Sequence, residues 1–307
     1  MIGIRNIGGY IPERRDDNFA KAHKYALDRA FIEKKIGIVA TARKGDDQCA
    51  SDMCKLALLD LQKRDSNCLD NVDCICVCTQ NGDYQLPQTS AVLHQKLNLP
   101  IECAAFDISL GCSGYIYALH IMRGFMLENQ FRKGLLFTAD PYSTIISDND
   151  KNTDLLFGDA ATVTLLTDNP IYEVGKGSFG TFGDKHAALI KRNAEKLFMN
   201  GREIFNFVMT YAPILVNQCL ANNKVVKEDI DLFLVHQASK YVVEKLAQRI
   251  SVLPEKMPFC ATNYGNTVSS SVPLLLHRYF EDSHYHKLLL CGFGVGLSMS
   301  ATMLRRL

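Results

Sequence analysis

Charge of one sign is what this sequence most plainly lacks. Its 34 basic residues are balanced by 33 acidic ones for a net charge of +1, with no arginine-rich block, so neither nucleic acid nor a membrane surface is indicated as a partner. No run approaches the roughly 18 apolar residues that a spanning helix needs. The opening residues, Met1-Ile-Gly-Ile-Arg-Asn-Ile-Gly-Gly9, lack the long apolar core and cleavage site of a secretory signal, and a cytoplasmic location is expected. Low-complexity tracts are absent, and so is tryptophan. What is present is a globular composition, 47% apolar and 22% charged. At 307 residues the chain is long for one ordinary core, so two packed halves or one large α/β unit are expected.

The chain has eleven cysteines, an odd number that fits free thiols in a reducing compartment. Cys74-Ile-Cys-Val-Cys78 lies in a strand-like run, where alternate residues share a face. No second Cys/His pair stands at zinc-like spacing from it, so small buried core residues are the better reading than a metal cluster. His284 and His286 sit in a polar loop. No metal is expected at either place.

The sequence echoes itself. Asp73-Cys-Ile-Cys-Val-Cys-Thr-Gln80 and Asp231-Leu-Phe-Leu-Val-His-Gln-Ala238 both read as a buried strand after an acidic residue. Each is followed by a small-residue junction into a helix, at Cys112 in one case and Asn266 in the other. Gly134–Ala139 and Leu288–Phe293 are apolar strands late in each half, and Ala160–Thr167 and Leu297–Leu304 are the last strands. Several matches in one order favour duplication, with a first half at 1–170 and a second at 171–307. Continuous apolar runs separated by helical stretches imply sheets covered on both faces. Helices are expected over Asp47–Leu61, Ser239–Ile250 and Gly201–Asn222, the last kinked or split at Pro213. The glycine-rich segment Gly175–Asp184 is expected to join the halves.

The most informative stretch is Phe106-Asp-Ile-Ser-Leu-Gly-Cys-Ser-Gly-Tyr-Ile-Tyr-Ala-Leu119. A β-like run breaks at Gly111 and a helical pattern begins on Cys112. A thiol at a helix N-terminus faces unpaired N–H groups and the positive end of the dipole, which favour the nucleophilic thiolate. Lowering its pKa from ~8.5 to ~7 raises the thiolate fraction at neutral pH roughly fifteen-fold. Gly114, one turn into this pattern, costs about 1 kcal/mol against alanine and implies close packing.

If the halves pack about a pseudo-twofold axis, His236 and Asn266 converge on Cys112. That set is a thiol nucleophile with two groups able to stabilise an oxyanion. His236-Gln-Ala-Ser239, Tyr264-Gly-Asn-Thr-Val-Ser-Ser-Ser271, Gly292-Phe-Gly-Val-Gly-Leu-Ser298, Phe157-Gly-Asp-Ala-Ala161 and Met199-Asn-Gly-Arg-Glu-Ile-Phe205 together resemble the thiolase superfamily. More narrowly, they resemble the β-ketoacyl-acyl-carrier-protein synthase III family, over essentially the whole chain. The resemblance implies a thiolase-like fold in αβαβα layers, a homodimer and a decarboxylating Claisen condensation. Cys112 would take an acyl group from acyl-CoA, and malonyl-acyl carrier protein would then lose carbon dioxide and attack it. His236 and Asn266 would donate to the malonyl thioester oxygen. The N–H groups of Cys112 and Val295 would hold the acyl oxyanion. No metal or redox cofactor is implied.

The chain departs from the family's pattern at the substrate residues. Members often stack a tryptophan on the CoA adenine, with an arginine on the other side. Here Phe31 and Lys151 stand in those places, and Lys35 replaces another arginine. Lysine lacks arginine's planar fork, so altered CoA recognition is expected. Ser239 stands for a usual asparagine. Val295 interrupts a glycine triplet; its N–H survives, and its side chain is expected to narrow the acyl pocket. Arg202 lies within a matched signature. Leu86 falls where members present a side chain to the starter pocket across a dimer interface. Lys245 with Arg249, and Arg192 with Lys196, are basic pairs that could meet an acidic carrier protein or form solvated faces. Two other functions compete: a related acyltransferase passing the cysteine-bound acyl group to another nucleophile, and a non-catalytic paralogue with the same fold.

Overall fold

The computed structural model describes residues 1–307. Ten strands share one hydrogen-bonded network: β1 (Gly3–Tyr10), β2 (Cys74–Cys78), β3 (Ala104–Ile108), β4 (Lys133–Ala139), β5 (Ala161–Thr167), β6 (Tyr172–Val174), β7 (Ser178–Thr181), β8 (Leu232–Val235), β9 (Lys287–Gly294) and β10 (Ser298–Arg306). The spatial order is β8-β9-β10-β6-β1-β5-β4-β2-β3, with β7 also on β10. The N-terminal strands join the C-terminal ones through the pairing of Ile4 with Tyr172.

The two sets of strands are built alike. β2 runs parallel to β4 and β4 antiparallel to β5; β8 runs parallel to β9 and β9 antiparallel to β10. The acidic residue before each first strand does the same work. Asp73 Oδ2 accepts from the N–H groups of Arg132 (2.7 Å) and Lys133 (2.9 Å). Asp231 Oδ2 accepts from those of His286 (2.7 Å) and Lys287 (2.8 Å).

Helices α1 (Ala50–Gln62), α2 (Thr89–Lys96), α3 (Gly114–Glu128), α4 (Gly201–Asn222), α5 (Lys240–Arg249) and α6 (Ser271–Tyr279) cover these strands. α1 packs on β1, β4 and β5, whereas α4 packs on β7, β9 and β10. α3 touches β2 and β4 on one side and β9 and β10 on the other; α6 touches β1 and β5 as well as β8 and β9. Two helices shared between two strand layers, with an outer helix on each far face, give the five-layer αβαβα stack.

β2 shows why its sequence is apolar throughout. Cys74, Cys76 and Cys78 enter the central core with Tyr115, Leu119 and Leu276, while Ile75 and Val77 face the outer core with Met53, Leu58 and Leu61. A strand buried on both faces has no polar face to show. Gly114 is where α3 meets this strand: a Cβ there would lie 2.6 Å from Cys78 Sγ.

Two expectations need correction. The joining segment is not merely a connection, because Ser178–Thr181 pairs with β10 from Ser298 to Ala301. A connecting stretch gains strand structure when an unpaired edge lies beside it. α4 also runs unbroken through Pro213 and, at 22 residues, is long and apolar enough by length and composition to cross a membrane. Phe207, Val208, Ala212, Leu215, Val216, Cys219 and Leu220 form its buried stripe. That stripe seats α4 on the C-terminal strands, and the packing offsets the hydrogen bond proline cannot make.

Candidate active site

Cys112 lies in the turn between β3 and α3, two residues ahead of the helix. The turn is closed by the Gly114 N–H donating to Gly111 O at 2.7 Å. Two C-terminal hydroxyls clamp it: Ser298 Oγ is 2.5 Å from Ser113 Oγ, and Ser300 Oγ donates to Ser113 O at 2.8 Å. Gly294 closes on the sulfur from the facing strand. A Cβ at that position would sit 2.8 Å from both Cβ and Sγ of Cys112, so only glycine lets the strand come this near.

The electrostatics overturn the expected low pKa. Burial pushes the Cys112 thiol up to about 12, with the Asp140 carboxylate adding to the rise. The N–H groups of Val295 and of Cys112 itself oppose the shift by hydrogen bonding the sulfur. A fully buried sulfur loses more hydration than two amides return. At neutral pH Cys112 therefore rests as a thiol beneath two N–H donors.

His236 follows β8, and its N–H extends the parallel ladder to Cys291 O at 2.8 Å. The imidazole stands edge-on to Phe293, with centroids 5.5 Å apart. Its Nδ1 is buried without a protein partner, and burial takes its pKa down to about 3. The ring is therefore neutral and has hydrogen-bonding capacity to spare. Asn266 is held by its backbone, which donates to Leu156 O (2.8 Å) and accepts from Gly158 N–H (2.9 Å). Its side-chain Oδ1 accepts from the Val268 N–H at 3.0 Å, leaving the Nδ2 hydrogens to donate.

Cys112, His236 and Asn266 line one chamber of about 140 Å³, walled mainly by apolar residues including Leu156, Phe157, Leu189, Ile204 and Val208. It adjoins an outer vestibule of about 780 Å³, and Leu156, Met199, Gly201, Phe205, Ser239 and Val242 border both. Phe31, Lys35, Lys151 and Arg202 line the vestibule, which contains three cationic side chains and no carboxylate. Lys35 Nζ lies 5.6 Å from the centre of the Phe31 ring. Ser239 caps α5, its Oγ accepting from the Val242 N–H at 3.3 Å, an arrangement worth about 1 kcal/mol to a helix.

Other expected residues fall elsewhere. Val295 brings its N–H to the sulfur, but its side chain packs beside Gly111 rather than lining the chamber. It does not narrow that space. Leu86 is 87% exposed and borders neither cavity. Lys245 and Arg249 share a shallow surface groove with Phe205 between α4 and α5, and Arg192 pairs with Glu195 at 3.5 Å.

Nothing in the reading of motifs singles out Asp140, whose carboxylate is completely buried. Its Oδ1 accepts from Gln80 N–H at 2.7 Å and from Thr79 Oγ1 at 3.3 Å; its Oδ2 accepts from Ser269 N–H at 3.3 Å. The available signal was an acidic residue directly after an apolar strand and before Pro141. The apolar walls from the start of α4 were also missed. Periodicity marks such residues as buried but not as facing a cavity.

The chain is similar to known proteins along nearly its whole length. Residues 106–184 match the model of 3-oxoacyl-[acyl-carrier-protein] synthase III, and residues 220–306 match that of its C-terminal part. A β-ketoacyl-[acyl-carrier-protein] synthase III of Staphylococcus saprophyticus is 30% identical, over 99% of this chain and 98% of its own. One from Deinococcus deserti is 31% identical, over 98% and 90% respectively. A crystal structure of a 3-oxoacyl-(acyl-carrier-protein) synthase III superposes with a TM-score of 0.93 at 30% identity, over 99% of both chains. The Thermus thermophilus β-ketoacyl synthase III superposes at 0.92 with 28% identity, over 99% of this chain and 98% of that one. With relatives matched along nearly their full length and the fold shared from end to end, this chain belongs to the β-ketoacyl-[acyl-carrier-protein] synthase III family.

Proposed function

We propose that this chain is a condensing enzyme joining an acyl-CoA starter to malonyl-acyl carrier protein. The observation that carries the reading is the meeting of Cys112, His236 and Asn266 in one chamber beneath a cationic vestibule. Lys35, Lys151 and Arg202 suit the phosphates of CoA or of a phosphopantetheine arm. The apolar walls suit the arm's uncharged stretch.

In the first step the Cys112 sulfur bonds to the thioester carbon and the carbon–sulfur bond to CoA breaks. The thiol proton ends on the released CoA. The N–H groups of Cys112 and Val295 hold the oxyanion of that step, where one such donor is worth about 3 kcal/mol. In the second step malonyl carrier protein loses carbon dioxide, and the electron pair passes onto its thioester oxygen. The neutral His236 ring and Asn266 Nδ2 donate to that oxygen. The enolate carbon then bonds to the acyl carbon, and the Cys112 sulfur leaves as a thiolate that takes its proton from solvent water. No metal or redox partner is called for.

The proposal includes a cytoplasmic homodimer, with Leu86 offered to a partner's site; its exposure outside its own chamber supports that role. It also reads 1–170 and 171–307 as duplicated halves, supported by the matched Asp73 and Asp231 clamps. The test is intact-mass measurement with a panel of acyl-CoAs, followed by malonyl carrier protein. Acylation that persists in Cys112→Ala would refute the nucleophile. Acylation with no β-ketoacyl product would favour transfer to another acceptor, and no labelling at all would favour a non-catalytic role.

A further inference from the structure

Asp140 is the buried charge that the mechanism leaves unused. It stands immediately after β4, and its hydrogen-bond partners Thr79, Gln80 and Ser269 are all uncharged. Burying a carboxylate with no cation beside it is unfavourable, so its geometry calls for an account.

Two of its partners directly follow β2, and the third lies across the molecule in the turn after Asn266. In that turn Val268 has a φ of 53°. A β-branched residue in the left-handed region is strained and persists only where its surroundings hold it. Val268 is held from both sides: its own N–H goes to Asn266 Oδ1 at 3.0 Å, and the next N–H, from Ser269, goes to Asp140 Oδ2 at 3.3 Å. The Val268 bond fixes which end of the Asn266 carboxamide is free to donate.

We propose that Asp140 is a positioning residue for decarboxylation, gripping the Ser269 N–H so that strained Val268 keeps the Asn266 carboxamide turned with Nδ2 toward the substrate. The inference rests on the role given to Asn266 above. Asp140 does not touch substrate.

Asp140→Asn tests it. One carboxylate oxygen becomes an NH2 group, and the remaining oxygen is expected to stay with the closer Gln80 N–H. An NH2 then faces Ser269 N–H, donor against donor. Release of carbon dioxide from malonyl carrier protein by acylated enzyme is expected to fall about tenfold or more, since small displacements of a catalytic group carry such losses. Cys112 acylation by acyl-CoA is expected not to fall by more than about threefold, because the clamps on Cys112 do not involve Ser269 and loss of the Asp140 charge relieves one cause of the raised thiol pKa. Equal losses in both steps, or no loss in either, overturn the proposal.

Hydrogen exchange supplies a readout independent of turnover. The amides of Val268 and Ser269 are expected to exchange faster in the variant, and unchanged protection overturns the grip even if the wild type proves unable to condense. Should Asp140→Asn fail to fold, Asp140→Asn/Val268→Gly carries the test, because glycine adopts positive φ unaided. Decarboxylation within about threefold of Val268→Gly alone is expected, and a further tenfold loss overturns the proposal.

Discussion

Alanine at Gly294 is the smallest change that reaches the Cys112 sulfur directly. Its Cβ would stand 2.8 Å from both Cβ and Sγ of Cys112, where ordinary contact begins at 3.4 Å. About 0.6 Å must therefore be found, and neither side yields easily. Cys112 is fixed by the hydroxyls of Ser298 and Ser300 on its neighbour Ser113. Gly294 is fixed by its pairing with Ser298 in the β9–β10 ladder. The sulfur is the movable atom, and moving it takes it from under the Val295 N–H. A misplacement approaching 1 Å at a reacting atom costs on the order of 100-fold. The overpacking itself costs about 1–3 kcal/mol of stability. The assay is the single-turnover rate of Cys112 acylation followed by intact mass, with a chemical denaturation curve on the same sample. Acylation within threefold of wild type and an unmoved denaturation midpoint would refute the close approach and the role built on it.

Three other outcomes are expected. Because burial holds the Cys112 thiol up to about 12, its alkylation by iodoacetamide should keep accelerating with pH beyond 9; a plateau near 7 would restore the helix-activated thiolate. His236 has its pKa lowered to about 3 by burial, so below about 6.5 the unfolded chain takes a proton that the folded chain refuses. Its contribution is complete above that pH and is lost as pH falls toward 3, amounting to about 2 kcal/mol by pH 5. Urea titrations should show wild type losing that much more than His236→Gln between pH 7.5 and 5, and parallel losses would contradict it. Lys151→Ala with Arg202→Ala should raise KM for acyl-CoA about tenfold with little change in kcat, and the difference should shrink at high salt. A fall in kcat at constant KM would remove these cations from binding.

Much of the fold was legible because its signals are local. β2 and β8 are apolar runs opened by Asp73 and Asp231, and those carboxylates perform matching tasks. α5 begins where Ser239 can cap it, and the break at Gly111 marks the cysteine turn. Side-chain period and capping chemistry depend on neighbours a few residues away. Pro213 does not split α4 because its local cost is outweighed by a stripe packed on strands distant in sequence.

The sequence by itself determined the elements and the identity of a thiol in a tight turn, since each follows from short-range pattern, while the five layers were implied only by the family resemblance. Only the tertiary structure decided what that thiol is like. Its chamber is closed by residues from α4, β9, the segment after β8 and the Asn266 turn, and their dehydrating effect outweighs the local pull of backbone N–H groups. Only the assembled fold set Asp140 against Ser269, or left Leu86 outside both cavities. Burial and electrostatic environment belong to the packed whole, and no window of the chain contains them.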